Sequence, residues 1–429
     1  MNNSLSKRDS LVIWHPYTQH QKMEEPISIT KGEGALLFDE KGNTYIDAVS
    51  SWWVNLHGHG HPYIAENIYK QALVLEHVIF THFTHEPAVK LAERLLSILP
   101  GKFSKVFYSD NGSTAVEVSL KMAIQFWKNK GQPGRNKILA FNNAYHGDTF
   151  GSMSVSARGL FTNSFKDFLF ETIFIDTPRA DNLEEIKSFI QSFNGQIAAF
   201  IYEPLLQAAG GMRMYEAKHL DELLSVIQAE NILCIADEVL TGFGRTGTLF
   251  AGESLSHPAD MICLSKGLTG GAMALGITAC NQNIFNAFLS TDRTKTFYHG
   301  HSFTANPLAC TAGLASLDLL EKTPCRDQIQ WIRQQHEEFA RNELSVTGME
   351  LLINIRTMGT ILAFELNIGK HEYINEVSTI VMSKALMQGI YLRPLGNTVY
   401  VMPPYCITPE QLRKVYQFIL SIPDFIRRN

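Results

Sequence analysis

The chain is predicted to be an α/β protein, with a larger domain on a mostly parallel central sheet and a smaller α+β domain after it. Three observations lead there. The 429 residues exceed what one simple core usually covers. The middle of the chain alternates short apolar runs with longer helical patterns, the signature of a parallel sheet with crossovers. The tail groups its strands and helices differently, as a separate unit would. The expected division is a segment over 1–55 that packs with the small domain, a large domain over 56–324 and a small domain over 325–429.

In chain order the strand candidates of the large domain are 105–108, 137–141, 172–175, 197–202, 232–236, 261–264 and 276–279. Each is apolar without strict alternation, as expected of strands covered on both faces. Helices lie between them. One spans about 86–99, with Pro87 in its first turn and Pro100-Gly101 stopping it. In the tail, 351–355 and 360–366 read as paired strands, followed by a helix near 376–387. The runs 390–394 and 398–402 then flank Gly396-Asn397, a turn signal. Thr408-Pro409-Glu410-Gln411 opens the last helix, with Thr408 at the cap and Gln411 placed for a capping box.

Composition excludes several classes of protein. Hydrophobic residues at 45% and charged residues at 18% are those of a soluble globular enzyme. A net charge of -5 gives no ground for nucleic acid or an acidic membrane surface as a partner. No apolar run is long enough to span a bilayer, and the start lacks the apolar segment of a secretory signal. The cysteines, at 234, 263, 280, 310, 325 and 406, form no close CxxC pair. They are expected to be buried free thiols rather than a metal or redox site, which points to a reducing compartment, the cytoplasm.

Four stretches carry chemistry. The apolar run 232–236 delivers Asp237 to the carboxyl edge of the sheet, where ligands of open α/β sheets bind. Taken alone, such an acid is either a catalytic group or a turn residue. The run 261–264 delivers Lys266 to the same edge after one crossover, followed by Gly267 and Gly270-Gly271, which let backbone approach a ligand closely. In 109–117, Thr114 and Glu117 fit a capping box, and Ala115, Val118, Met122 and Phe126 form one apolar face. Gly112 and Ser113 therefore sit at a helix N-terminus, where free N–H groups and the dipole hold a phosphate. Finally, Tyr145 in 143–148 follows a strand and either covers a planar ring or joins the core. A lysine, an acid for a ring nitrogen, a phosphate cradle and an aromatic cover are together what pyridoxal phosphate requires of a protein.

Other groups have plainer readings. His57, His59 and His61 are spaced like metal ligands, but they lie in a glycine-rich stretch without nearby acids, which favours a tight backbone turn; no metal is expected. Arg245 is read as bridging the loop after the Asp237 strand. Glu203 ends a strand and either reaches the site or stays at the surface. If Trp52 and Trp53 lie on a strand, they point to opposite faces, with Trp52 toward the site and Trp53 in either pocket or core.

Asp237-Glu238-Val239, then Thr241-Gly242-Phe243-Gly244-Arg245-Thr246-Gly247, then Ser265-Lys266-Gly267, resembles the class III (omega) aminotransferases of fold-type I, in the family's order. The likeness runs from Trp14 to Tyr405. Within that class, 14–19, 50–53, 145–149, 210–215, 393–396 and 400–405 are most similar to a branch that makes 7,8-diaminononanoate from 8-amino-7-oxononanoate in biotin biosynthesis. The resemblance implies pyridoxal 5'-phosphate as cofactor, with Lys266, Asp237 and Tyr145 catalytic. It implies that Gly112 and Ser113 hold the phosphate and that Tyr145 stacks on the ring whose nitrogen meets Asp237. Tyr17, Trp52, Trp53, Tyr145 and Lys266 would line the substrate pocket, and Arg393 would take the substrate carboxylate. The resemblance also implies a homodimer, in which a loop of the neighbouring subunit brings Gly300 to the substrate and His301 and Ser302 to the cofactor. The family pattern reads Gly-Pro-Thr there; this chain departs from it with His301 and Ser302, and Ser302 keeps a hydroxyl for phosphate.

The implied reaction is ping-pong, with S-adenosylmethionine as amino donor and lysine as the alternative donor. Lys266 would move the proton between substrate and cofactor carbons, and Asp237 would keep the ring nitrogen protonated. Rival readings are another omega-aminotransferase, for ornithine, 4-aminobutyrate or a diamine, or a mutase of the glutamate-semialdehyde type. From a different class, the sensor half of a regulator would carry a DNA-binding helix-turn-helix, for which the chain before Trp14 is short.

Overall fold

Among the residues that the computed structural model describes (4–193, 195–347, 350–369 and 375–426), seven strands form the central sheet. Residues 1–3 and 427–429, the ends of the expected terminal segments, lie outside them. The spatial order is Phe103–Ser109, Gly276–Asn281, Met261–Leu264, Leu233–Asp237, Ile197–Tyr202, Lys137–Phe141, Thr172–Ile175. All neighbours run parallel except Gly276–Asn281, which is antiparallel to both strands beside it. Every expected strand is present, so the mostly parallel α/β class holds.

The absence of alternation in these strands has a direct cause. Ile138 and Ala140 pack into one apolar cluster together with Val118, Met122 and Phe126. Leu139 and Phe141, their neighbours in the strand, pack into another on the opposite face. Both faces are dry, so both must be apolar. The parallel strands all end toward one edge, which receives Ser109, Phe141, Tyr202, Asp237 and Leu264.

The tail departs in part from expectation. Leu352–Met358 and Ile361–Leu366 pair antiparallel as read, and Thr398–Val401 joins them. The run 390–394, however, shortens to Ile390–Tyr391 and leaves that sheet. It pairs in parallel with Thr44–Asp47, Ile390 opposite Ile46 and Tyr391 opposite Asp47, tying the two ends of the chain together. The Gly396-Asn397 turn remains, closed by Leu395 and Thr398 with Gly396 at φ 59°. Thr408 and Gln411 exchange the expected capping bonds at the start of Pro409–Ile426.

Two local readings are corrected. The helix Gly112–Asn129 is capped by Asn111 and not by a Thr114–Glu117 box: the Thr114 N–H donates to Asn111 Oδ1, and the Asn111 N–H donates to Thr114 Oγ1. An Asn side chain one turn earlier reaches the same free N–H groups. Glu117 is thereby released to accept the N–H groups of Gly151 and Ser152. The second correction concerns Trp52 and Trp53, which lie on no strand. Ser50, Ser51 and Trp53 all have positive φ, and the turn is held by the Asp47 carboxylate, which accepts Val49 N–H, Ser51 N–H and the Ser51 hydroxyl. Strand alternation therefore does not govern where these rings point.

All six cysteines are free; four are buried as expected, whereas Cys325 is partly covered and Cys406 exposed. His57 and His59 flank Gly58 at φ 84° and take different partners, Ser316 Oγ and Asp47 Oδ2. Arg245 is buried and donates to the carbonyls of Pro403 and Asn55, bridging loops that are far apart in sequence.

Candidate active site

A cavity of about 410 Å³ opens at the carboxyl edge of the central sheet. Its wall includes Gly112, Ser113, Tyr145, Asp237, Lys266, Tyr17, Trp52 and Arg393, so the structure brings these sequence-predicted residues together. Gly300, His301 and Ser302 do not line it; in this chain, Gly300 and Ser302 are exposed and the His301 ring lies 3.3 Å from Asp110.

Lys266 ends its strand by turning sharply. Its φ is 45°, and the turn Lys266–Thr269 closes on Gly270 at φ 62°. The Ser265 hydroxyl pins the start of the turn by donating to the Leu275 carbonyl at 2.6 Å. A positive φ at a residue other than glycine is strained, on the order of 1–3 kcal/mol, and persists only where its surroundings hold it. The Lys266 amine stands 4.6 Å from the centre of the Trp53 ring. Burial lowers its pKa to about 8, against the opposing pull of Asp237 and Glu203.

Asp237 is 5% exposed. Its Oδ1 accepts the Val239 N–H, and its Oδ2 lies 2.7 Å from His146 Nδ1. His146 is held in turn, its N–H donating to Ser156 Oγ at 2.9 Å, while its Nε2 is buried without a partner among the described residues. Sequence reasoning missed His146. The available signal was its place beside Tyr145 in the loop after a strand, within reach of the same sheet edge.

Glu203 reaches the site. One carboxylate oxygen accepts the Tyr145 N–H at 3.1 Å and the other the Ala208 N–H at 3.0 Å. Burial raises its pKa to about 7, with Asp237 adding and His146 opposing. Tyr145 is thus fixed through its backbone. Its hydroxyl lies 3.2 Å from that of Tyr17, which also donates to Asp148. Burial, then Tyr17 and Asp148, push the Tyr145 phenol upward, so it stays protonated.

At the helix N-terminus, the N–H groups of Gly112 and Ser113 find no acceptor among the described residues. The space around them is shaped by missing side chains. A Cβ on Gly112 would lie 2.7 Å from Val239, and one on Gly147 only 2.0 Å from Ser113 Oγ. Free backbone N–H groups at a helix start can hold an anion.

The outer wall is aromatic and cationic. The Arg393 guanidinium lies 3.9 Å from the Trp52 ring centre and 5.9 Å from that of Tyr17, whose rings are 5.4 Å apart. Arg393 lines the cavity. Trp53 is 4% exposed, donates from Nε1 to the Tyr400 hydroxyl, and belongs to both core and wall. Phe161 completes the wall beside Tyr17 and Tyr145, and nothing in the sequence pattern singled it out.

Comparison with known proteins places this geometry. The family described as Aminotransferase class-III matches residues 17–422. An adenosylmethionine-8-amino-7-oxononanoate aminotransferase of Synechococcus elongatus is 45% identical, over 96% of this chain and 99% of that protein. One of Geobacter sulfurreducens is 40% identical, over 93% of each. Among solved structures, the aminotransferase of that name from Methanocaldococcus jannaschii superimposes with a TM-score of 0.93 at 34% identity, over 97% of this chain and 98% of that one. An omega transaminase of Pseudomonas jessenii in complex with PMP gives 0.91 at 26% identity, over 98% of both chains.

Proposed function

The chain belongs to the class III aminotransferases, and from that premise we propose that it transfers an amino group from S-adenosylmethionine to 8-amino-7-oxononanoate, giving 7,8-diaminononanoate in biotin biosynthesis. The observation that carries the choice of substrates is the near full-length identity to adenosylmethionine-8-amino-7-oxononanoate aminotransferases, 45% for that of Synechococcus elongatus. The wall of Arg393, Trp52 and Tyr17 supports it, offering one cation and two apolar faces to a long acid.

The residues present fit pyridoxal 5'-phosphate. The unpaired N–H groups of Gly112 and Ser113 suit its phosphate, Asp237 its ring nitrogen, Tyr145 its ring face and Lys266 its aldehyde. When bound, the cofactor supplies the carbonyl that takes up the amino group and a ring that spreads negative charge. The protein's own part follows from the geometry. His146 keeps the Asp237 carboxylate oriented, so that its charge can hold a proton on a ring nitrogen. Lys266 Nζ, partly unprotonated near neutral pH, would take the proton from the substrate carbon bearing the amine and deliver it to the cofactor carbon. Trp53, its ring centre 4.6 Å away, helps to keep water from that nitrogen. Arg393 orients the keto acid through a bidentate pair with its carboxylate.

The proposal includes a homodimer, in which Gly300, His301 and Ser302 complete the neighbouring site. The exposed position of that loop supports this, with Tyr298 and Phe303 unburied beside it. A cytoplasmic place of action is supported by the six free thiols. No described helix is long and apolar enough to cross a membrane. The test is to incubate the purified protein with 8-amino-7-oxononanoate and S-adenosylmethionine or lysine. Formation of the diamine with the first donor is the expected result. Formation with lysine alone would replace the donor, and no diamine with either would overturn the assignment.

A further inference from the structure

The loop after Phe297 is tied to the cradle helix by an unusual chain of side chains. Lys121, on the helix Gly112–Asn129, places its Nζ 2.8 Å from His299 Nδ1. His299 Nε2 lies 3.2 Å from His301 Nε2. His301 Nδ1 lies 3.3 Å from Asp110 Oδ2, just before the Asn111 cap of the same helix. The series thus begins on the helix, passes through the loop and ends just before the helix cap.

Its chemistry permits one arrangement of protons. An ammonium group only donates, so His299 Nδ1 must accept. A neutral imidazole that accepts on one nitrogen carries its proton on the other, so His299 Nε2 donates. His301 Nε2 must then accept, which leaves its proton on Nδ1, facing a carboxylate that can only accept. A second proton on either ring breaks the chain: on His299 it opposes Lys121, and on His301 it sets two N–H groups against each other.

We propose that His299 and His301 are positioning residues, a polarised pair that sets the loop bearing Ser302 against the helix that begins at Gly112. This rests on the reading above, in which Gly112 and Ser113 serve the cofactor phosphate of their own subunit and Ser302 that of the neighbouring subunit. The charged groups that face the pair are Lys121 and Glu117 on the helix and Asp110 before it; the rings of Phe107 and Phe297 cover His299. Burial, then Lys121 and His301, hold the His299 pKa below its ordinary 6.5, against Glu117. A lowered histidine pKa means that the folded state prefers the neutral ring. The ordering is therefore full above the ordinary value and is lost as pH falls through the lowered one.

The experiment has two readouts on the holoenzyme. Nitrogen NMR of 15N-histidine-labelled protein at about pH 8 should find the proton of His299 on Nε2 and that of His301 on Nδ1. His301 protonated on Nε2 would overturn the proposal, and this measurement needs no variant. Second, release of pyridoxal phosphate after dilution, followed by its absorbance, should quicken about tenfold on acidification from about pH 8 to about 5.5. His299→Leu and His301→Leu should release it fast at both pH values. A wild-type pH profile in either variant would overturn the positioning role. A protein that never takes up the cofactor would sink the functional reading instead, and the two proton positions would still decide the pair.

Discussion

His146 Nδ1 lies 2.7 Å from Asp237 Oδ2, and both side chains are buried. A buried carboxylate oxygen left without a donor is costly, and His146 supplies the one for Oδ2 from a loop ninety-one positions away in sequence. Removing the donor should therefore harm the acid's work without touching the acid. In His146→Leu we expect single-turnover amination to slow roughly tenfold or more, and thermal stability to fall by about 1–3 kcal/mol for an Oδ2 left without its donor. Asp237→Asn should lose most of the rate while still binding cofactor. Stopped-flow traces checked against calorimetry would refute the link if His146→Leu kept the wild-type amination rate.

Lys266→Ala should leave a folded protein with turnover reduced on the order of 10³-fold or more, since no other amine lines the cavity among the described residues. Borohydride treatment followed by mass spectrometry should find no cofactor linked to that variant. A linkage with normal activity would remove Lys266 from its role.

The pH dependence has two parts. The pKa of Lys266 is lowered to about 8, so the free-amine fraction, and with it the proton-transfer rate, should rise through pH 7 to 9 and then level. The pKa of Glu203 is raised from 4.5 to about 7, so its protonated form is favoured on folding. Its contribution to stability is full below 4.5 and is lost as pH rises through about 7. Glu203→Gln should flatten the fall in melting temperature between pH 5.5 and 8. A wild-type slope in the variant would exclude Glu203 as its source.

Substrate choice divides between two residues. Arg393→Ala should weaken the keto-acid half-reaction about 10–100-fold, the worth of a charge-assisted pair, while sparing amination. Tyr17→Ala should raise the apparent requirement for S-adenosylmethionine far more than Arg393→Ala does, because its ring offers a stacking face to an adenine. Equal effects of both variants on both half-reactions would refute this division.

Ser302 is exposed in its own chain, so an active protein should sediment as a dimer at assay concentration. An active monomer would contradict the shared site.

The alternation of strands and helices, the mostly parallel sheet and the delivery of Asp237 and Lys266 to one edge were all legible in the sequence. They follow from local rules: strands dry on both faces read as plain apolar runs, and a polar residue where a run stops marks the sheet's edge. Sequence also identified Gly112 and Ser113 as a helix start, although the cap proved to be Asn111. The tertiary structure alone decided what depends on approach across long separations. It paired Ile390 with Ile46, laid Arg393 over Trp52, set His146 against Asp237 and turned Glu203 onto Tyr145. It also bent Ser50–Trp53 into a turn around the Asp47 carboxylate, placing Trp53 beneath Lys266 and Trp52 at the mouth. Periodicity records which face of an element is dry; it does not record which distant element covers that face, and at this site the partners come from loops whose positions only the packed sheet sets.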